Sequence, residues 1–184
     1  SALASAKLVI ANSLRTRRDL VEGVGVSPDK IRVVYYGVDE RFQPPDAERR
    51  RVLRERLGVG GRPTIAFVGA LGDRRKGFDT LFEAWKDLGR DWDGQLLVVG
   101  RGAELERWKA LVADAGLGDG IKFLGFRKDV PEIFQAADGI VAPTRYEAFG
   151  QAVHEALCAG LPAIVSREAG VAERIAGEAK AESL

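Results

Sequence analysis

Seven short runs of almost continuous apolar residues, set apart by longer stretches of helical spacing, constrain this chain more than any other feature. The runs are Leu8 to Ala11, Ile31 to Tyr35, Thr64 to Val68, Leu96 to Val99, Ile121 to Leu124, Gly139 to Ala142 and Ala163 to Val165. A strand with one face in water alternates apolar and polar residues. Several of these runs do not, so they read as strands covered on both faces. Between them, Phe78, Leu81, Phe82, Trp85 and Leu88 recur at three- and four-residue steps, as do Leu105, Trp108, Leu111 and Val112, and Val130, Ile133, Phe134 and Ala137. Gly89 and Gly116 stand where the first two helices should stop. Strand and helix in alternation predict βαβ units with right-handed crossovers, hence a doubly wound, Rossmann-like α/β domain on a parallel sheet. The polar connection from Gln43 to Gly61 has room for one helix.

The 184 residues suffice for one domain with a core that needs no disulfide or metal. Lys and Arg total 28 against 27 Asp and Glu, and a net charge of +1 argues against a nucleic-acid partner. The basic runs Glu48 to Arg51 and Arg54 to Arg56 share their segment with Val52, Leu53 and Leu57, and read as a solvated helix face. A single cysteine, Cys158, excludes an internal disulfide and points to a cytoplasmic setting; it reads as a small buried hydrophobe. A single histidine, His154, excludes a His-rich metal cage and reads as a helix residue near the site. No run approaches the roughly 20 apolar residues of a membrane span. No methionine occurs, even at position 1, as expected of an excised piece.

In an open parallel sheet the ligand crevice lies outside the carboxyl ends of the strands, so the residues after each run carry the information. Gly69 follows Val68, Gly100-Arg101-Gly102 follows Val99, Gly125 follows Leu124, and the polar loop Pro143 to Gly150 follows Ala142. Glycines there let a ligand approach the backbone. A dinucleotide fingerprint would need a third glycine near position 105, which is Leu105, so a nicotinamide or flavin enzyme is disfavoured. Arg75-Lys76-Gly77 sets two cations before a helix, a combination suited to a diphosphate, with Gly77 freeing backbone N–H groups. Glu147-Ala148-Phe149-Gly150 then opens a helix from about Gln151 to Ala159, with Glu155 in its second turn. Carboxylates suit vicinal diols, and N–H groups near Phe149 and Gly150 suit phosphate oxygens. Asp91-Trp92-Asp93 looks like a metal-binding acidic pair but precedes the strand at Leu96, at the wrong edge of the sheet, and reads as a loop. Trp85 and Trp108 read as core residues.

Glu147 to Glu155-Ala156, followed by Ala159-Gly160-Leu161-Pro162-Ala163-Ile164-Val165, resembles the paired-glutamate signature of retaining GT-B glycosyltransferases, more narrowly the group 1 transferases of family four. The Arg-Lys-Gly loop, the Gly100-Arg101-Gly102 turn and Phe123 to Phe126 occur in the same order, and the resemblance runs from about Ala6 to Ala176. It implies the C-terminal, donor-binding half of a GT-B fold, with 1–13 a remnant of a preceding acceptor domain, 14–176 the donor domain and 177–184 a tail. It implies that Arg75 and Lys76 hold a nucleoside-diphosphate sugar and stabilise the leaving diphosphate without metal or other cofactor. Glu147 would bind the donor sugar and Glu155 the ribose. Gly69, Gly100, Arg101, Phe149 and Gly150 would contact the nucleotide sugar, and Phe126 would border the base. Transfer would proceed on one face of the sugar through an oxocarbenium-like state, with no protein nucleophile, and would need the missing acceptor domain. Any membrane association would run through that missing half. Ala70 stands where the family usually has an arginine, and the usual ending is replaced after Ala176. The alternative reading is a non-catalytic or split-enzyme module that assembles with another chain.

Overall fold

All seven apolar runs form strands in the computed structural model, which describes residues 2–89, 92–175 and 180–181. The chain opens with helix α1 (Ala2–Ser5), strand β1 (Val9–Ala11), helix α2 (Leu14–Glu22), strand β2 (Ile31–Val33) and helix α3 (Ala47–Leu57). Next come β3 (Thr64–Val68), α4 (Phe78–Leu88), β4 (Gln95–Val99), α5 (Leu105–Asp114), β5 (Ile121–Gly125), α6 (Val130–Ala136), β6 (Gly139–Ala142), α7 (Gln151–Cys158), β7 (Ala163–Ser166) and β8 (Lys180–Ala181).

The main sheet has the order β5-β4-β3-β6-β7-β8 and is parallel throughout. Successive side chains of a strand point to opposite faces, and both faces are buried. Leu96 and Val98 of β4 join a cluster with Phe78, Phe82 and Trp85 of α4 and Trp108 of α5. Leu97 and Val99 point the other way, onto Ile133 of α6 and Val59. Ala66 and Ile140 pack with Phe134 of α6 and Val153 and Ala156 of α7. Helices α4 and α5 therefore cover one face, and α6 and α7 the other, as the doubly wound reading requires. Between β3 and β6 the order reverses, and this is the topological switch point.

Three expectations change. The strands β1 and β2 pair only with each other, forming a separate two-stranded sheet with its own cluster of Val9, Ala11, Val26 and Ile31. The run Ile31 to Tyr35 thus does not add to the main sheet, because an apolar run reports burial and not the sheet in which it is buried. The stretch read as a tail supplies β8 at the sheet edge; residues 176–179 and 182–184 lie outside the described residues. Cys158 is exposed, since the buried stripe of α7 runs through Val153 and Ala156 and position 158 falls off it.

The basic face of α3 is paired rather than merely solvated. Arg49 and Arg56 both reach Glu132 of α6, and Arg50 and Arg54 bond to Asp138 at 2.5 and 3.2 Å. Asp138 also accepts the Thr64 N–H at 2.8 Å, fixing the start of β3. Trp85 and Trp108 are buried as expected. Of the acidic decoy, Asp91 lies outside the described residues; Trp92 packs on Trp85, and Asp93 pairs with Arg62 at 2.9 Å.

Candidate functional site

A cavity of about 290 Å³ opens at the switch point. Its walls are the end of β3 (Phe67 to Gly69), the end of β6 (Ala142, Thr144), Lys76, Glu147, and Gly150 to Val153 at the start of α7. Three larger grooves lie between α4 and α5, beside residues 41–49 and α6, and around Arg62, Gln95 and Lys122, but none contains this charged pair. Lys76 Nζ is ion-paired with Glu147 Oε2, and the two side chains are 29% and 25% exposed. The first turn of α7 presents helix-end N–H groups and the positive end of the helix dipole to the same space. The cavity thus offers one cation, one carboxylate and a helix N-terminus, a set that fits an anion carrying hydroxyl groups. Among the described residues no group of three or more His, Cys, Asp or Glu is placed to hold a metal ion, and no helix is long and apolar enough to cross a membrane.

Long-range contacts hold these parts in place. Thr144 donates to the Arg75 carbonyl at 2.7 Å, and the Arg145 N–H donates to it at 2.8 Å, which ties the loop after β3 to the loop after β6. Arg145 also binds Asp79 and holds its carboxyl below the usual aspartate range. Glu147 is clamped through its backbone, its N–H to the Glu168 carbonyl at 3.1 Å and its C=O to the Gly170 N–H at 2.9 Å. From the opposite side, Ser13 donates to the Ala148 carbonyl at 2.6 Å, while the Glu173 carboxylate accepts the Leu14 and Arg15 N–H groups at 2.7 and 3.2 Å. The small sheet and the site loop are therefore braced against each other.

A family model described as "Glycosyl transferases group 1" matches residues 49–182. The chain belongs to the group 1 glycosyl transferases. Mannosylfructose-phosphate synthase of Agrobacterium fabrum is 31% identical over 179 residues, covering 91% of this chain and 39% of that protein. D-inositol 3-phosphate glycosyltransferase of Corynebacterium jeikeium is 34% identical, covering 91% and 42%. The crystal structure of Anabaena HepE in complex with UDP and glucose superposes with a TM-score of 0.84 at 27% identity, over 96% of this chain and 48% of that one. The chain therefore spans about two fifths of the length of these curated relatives. The architecture is that of the C-terminal, Rossmann-like half of a GT-B fold.

In this member of the group 1 family, Lys76, Glu147, Gly69 and Gly150 line one cavity. Arg75 does not join them. It sits in a tight 3₁₀ turn, where neighbouring side chains diverge by about a third of a turn. With Lys76 facing inward, Arg75 faces out, 64% exposed and bonded to Asp73 at 2.6 Å. Glu155 is absent from the cavity wall; it lies one turn deeper along α7, where burial pushes its carboxyl above the ordinary glutamate range, against a hydrogen bond from Gln151 at 3.3 Å. Phe149 is only 2% exposed, its ring packed on Tyr35, Tyr36 and His154, so its side chain is core. Burial lowers the His154 pKa. Gly100 supports the cavity from behind: a Cβ there would come within 1.8 Å of the Gly69 carbonyl oxygen. Arg101 and Phe126 meet at the ends of β4 and β5, guanidinium over ring at 5.3 Å, outside the cavity.

Sequence reading placed Thr144 only within the polar loop after Ala142, and missed Gln151 and Ser13 as members of this region. Only Gln151 carries a local signal, a polar residue four positions before Glu155 on the same helix face. Ser13 caps α2 by accepting the Thr16 N–H at 2.9 Å, in addition to holding Ala148, and is fully buried. Ser13→Ala should therefore cost about 1–2 kcal/mol. At roughly 2–4 °C per kcal/mol, thermal unfolding should fall by about 2–8 °C. An unchanged melting temperature would remove Ser13 from the brace.

Proposed function

We propose that this chain is the donor-binding half of a retaining glycosyltransferase that holds a nucleoside-diphosphate sugar in the β3/β6 crevice. The observation that carries the reading is the Lys76–Glu147 pair, which shares one cavity with the first turn of α7. Diphosphate oxygens would take the helix-end N–H groups and the Lys76 ammonium, which also stabilises the charge that develops as the glycosidic bond breaks. Glu147, once released from Lys76, would accept hydroxyl hydrogen bonds from the donor sugar, and Glu155 those of the ribose. The exposed Phe126 ring, backed by Arg101, offers a platform for the base. Arg75 would reach the diphosphate by exchanging Asp73 for it. The HepE complexes with UDP and with UDP-glucose support a sugar-nucleotide ligand in this fold.

Transfer with retention would then proceed without metal and would require an acceptor-binding domain. The match to two fifths of longer relatives is consistent with that dependence. Calorimetric titration of this chain with UDP, GDP and ADP, with and without EDTA, tests the reading. One of the three should bind, and EDTA should leave its affinity unchanged. No binding by any of them at millimolar concentration would overturn the assignment, and loss of binding in EDTA would overturn its metal-free form.

A further inference from the structure

The side chain of Gln151 occupies the gap between the cavity and Glu155. Its Nε2 donates to the Gly37 carbonyl at 3.2 Å and approaches Glu155 Oε1 at 3.3 Å, while the residue itself walls the cavity beside Lys76 and Glu147. Both partners of Nε2 are acceptors, and an amide nitrogen carries two N–H donors. Rotating the amide by half a turn would set an oxygen against two oxygens, so the orientation is determined by its neighbours. Oε1 is then committed to the other side, where it is buried and has no hydrogen-bond partner. Buried acceptors are almost always paired, and an unpaired one on a residue that lines a ligand cavity marks a place where the ligand can bring the donor. Lys76 is already engaged by Glu147.

We infer that Gln151 is a specificity-determining residue whose Oε1 accepts a hydrogen bond from a hydroxyl of the bound sugar nucleotide. The inference rests on the donor-site reading and adds a ligand contact to it. The amide is anchored by Gly37, whose neighbours Tyr35 and Tyr36 pack on Phe149, so the segment after β2 holds the reading group in place. The hydroxyl belongs either to the ribose or to the hexose, and both sources present the same chemistry.

The test uses the 184-residue chain and whichever of UDP, GDP and ADP it binds. That diphosphate, its 2′-deoxy and 3′-deoxy forms and its glucose and mannose conjugates are titrated into wild type, Gln151→Met and Gln151→Glu. Gln151→Met, which keeps length but loses the oxygen, should weaken binding about tenfold for ligands carrying the hydroxyl and not for the analogue lacking it. A loss already present with the plain diphosphate and abolished in one deoxy form places the hydroxyl on the ribose. A loss confined to the sugar conjugates places it on the hexose. Gln151→Glu keeps an oxygen and should keep the hydroxyl-to-deoxy discrimination, at lower overall affinity beside Glu155. Equal losses on every ligand, or none, would overturn the role of Gln151 while leaving the donor site standing. A wild type that binds none of the ligands would overturn the site itself.

Discussion

Lys76→Ala is expected to weaken binding of the diphosphate by about 1.5–3 kcal/mol, the scale of a hydrogen bond to a charged group, or roughly 10- to 150-fold in Kd. Two effects act in the same direction. The variant loses the only cation among the described residues that lines the cavity, and it leaves the Glu147 carboxylate facing the phosphates uncompensated. Stability should respond little. Both partners keep a quarter or more of their side-chain surface in water, and ion pairs of that kind contribute at most about 1 kcal/mol. The expected signature is therefore a large change in calorimetric affinity with a melting temperature nearly unmoved. Adding Glu147→Gln to Lys76→Ala should recover part of the affinity for the diphosphate, because the second change removes the repulsion that the first exposes. An affinity unchanged in Lys76→Ala would place the diphosphate elsewhere.

Lys76 and Glu147, 71 positions apart, could be matched in advance because each follows the end of a strand, and those strands, β3 and β6, flank the switch point. Strand identity came from apolar runs and helix identity from periodicity, both local signals. What escaped was whatever depends on rotation about the chain or on distant partners. Two adjacent cations read as a pair, yet the 3₁₀ turn sends Lys76 inward and Arg75 out to Asp73. Two glutamates eight apart read as facing acids, yet Gln151 stands between Glu155 and the cavity. Ser13 and Glu173 brace the loop from elements more than 130 residues apart in sequence, and nothing in the spacing of either reports it. A strand pattern likewise cannot say to which sheet it belongs, and β2 pairs with β1 outside the main sheet.

Gly77→Ala should destabilise the fold by about 3 kcal/mol and lower thermal unfolding by roughly 6–12 °C. Gly77 adopts φ +71°, a left-handed conformation that costs an alanine about 1–2 kcal/mol. A Cβ there would also stand 1.9 Å from the carbonyl oxygen of Pro143, a backbone atom that cannot swing aside. The requirement for glycine therefore comes from close packing of the 74–77 turn on the loop after β6. The N–H of Gly77 itself is not free for a ligand, since it donates to the Arg74 carbonyl at 3.2 Å. Gly60→Ala is the matched control. Its φ of +53° is also left-handed, but nothing lies within 4 Å of the added carbon, so only the conformational penalty of about 1–2 kcal/mol applies, worth about 2–8 °C. Forcing Pro143 away would also carry along Thr144 and Glu147, so Gly77→Ala should lose diphosphate affinity together with stability, where Lys76→Ala loses affinity alone. If Gly77→Ala melts within about 2 °C of Gly60→Ala, the two loops are not packed as described, and the cavity between them loses its basis.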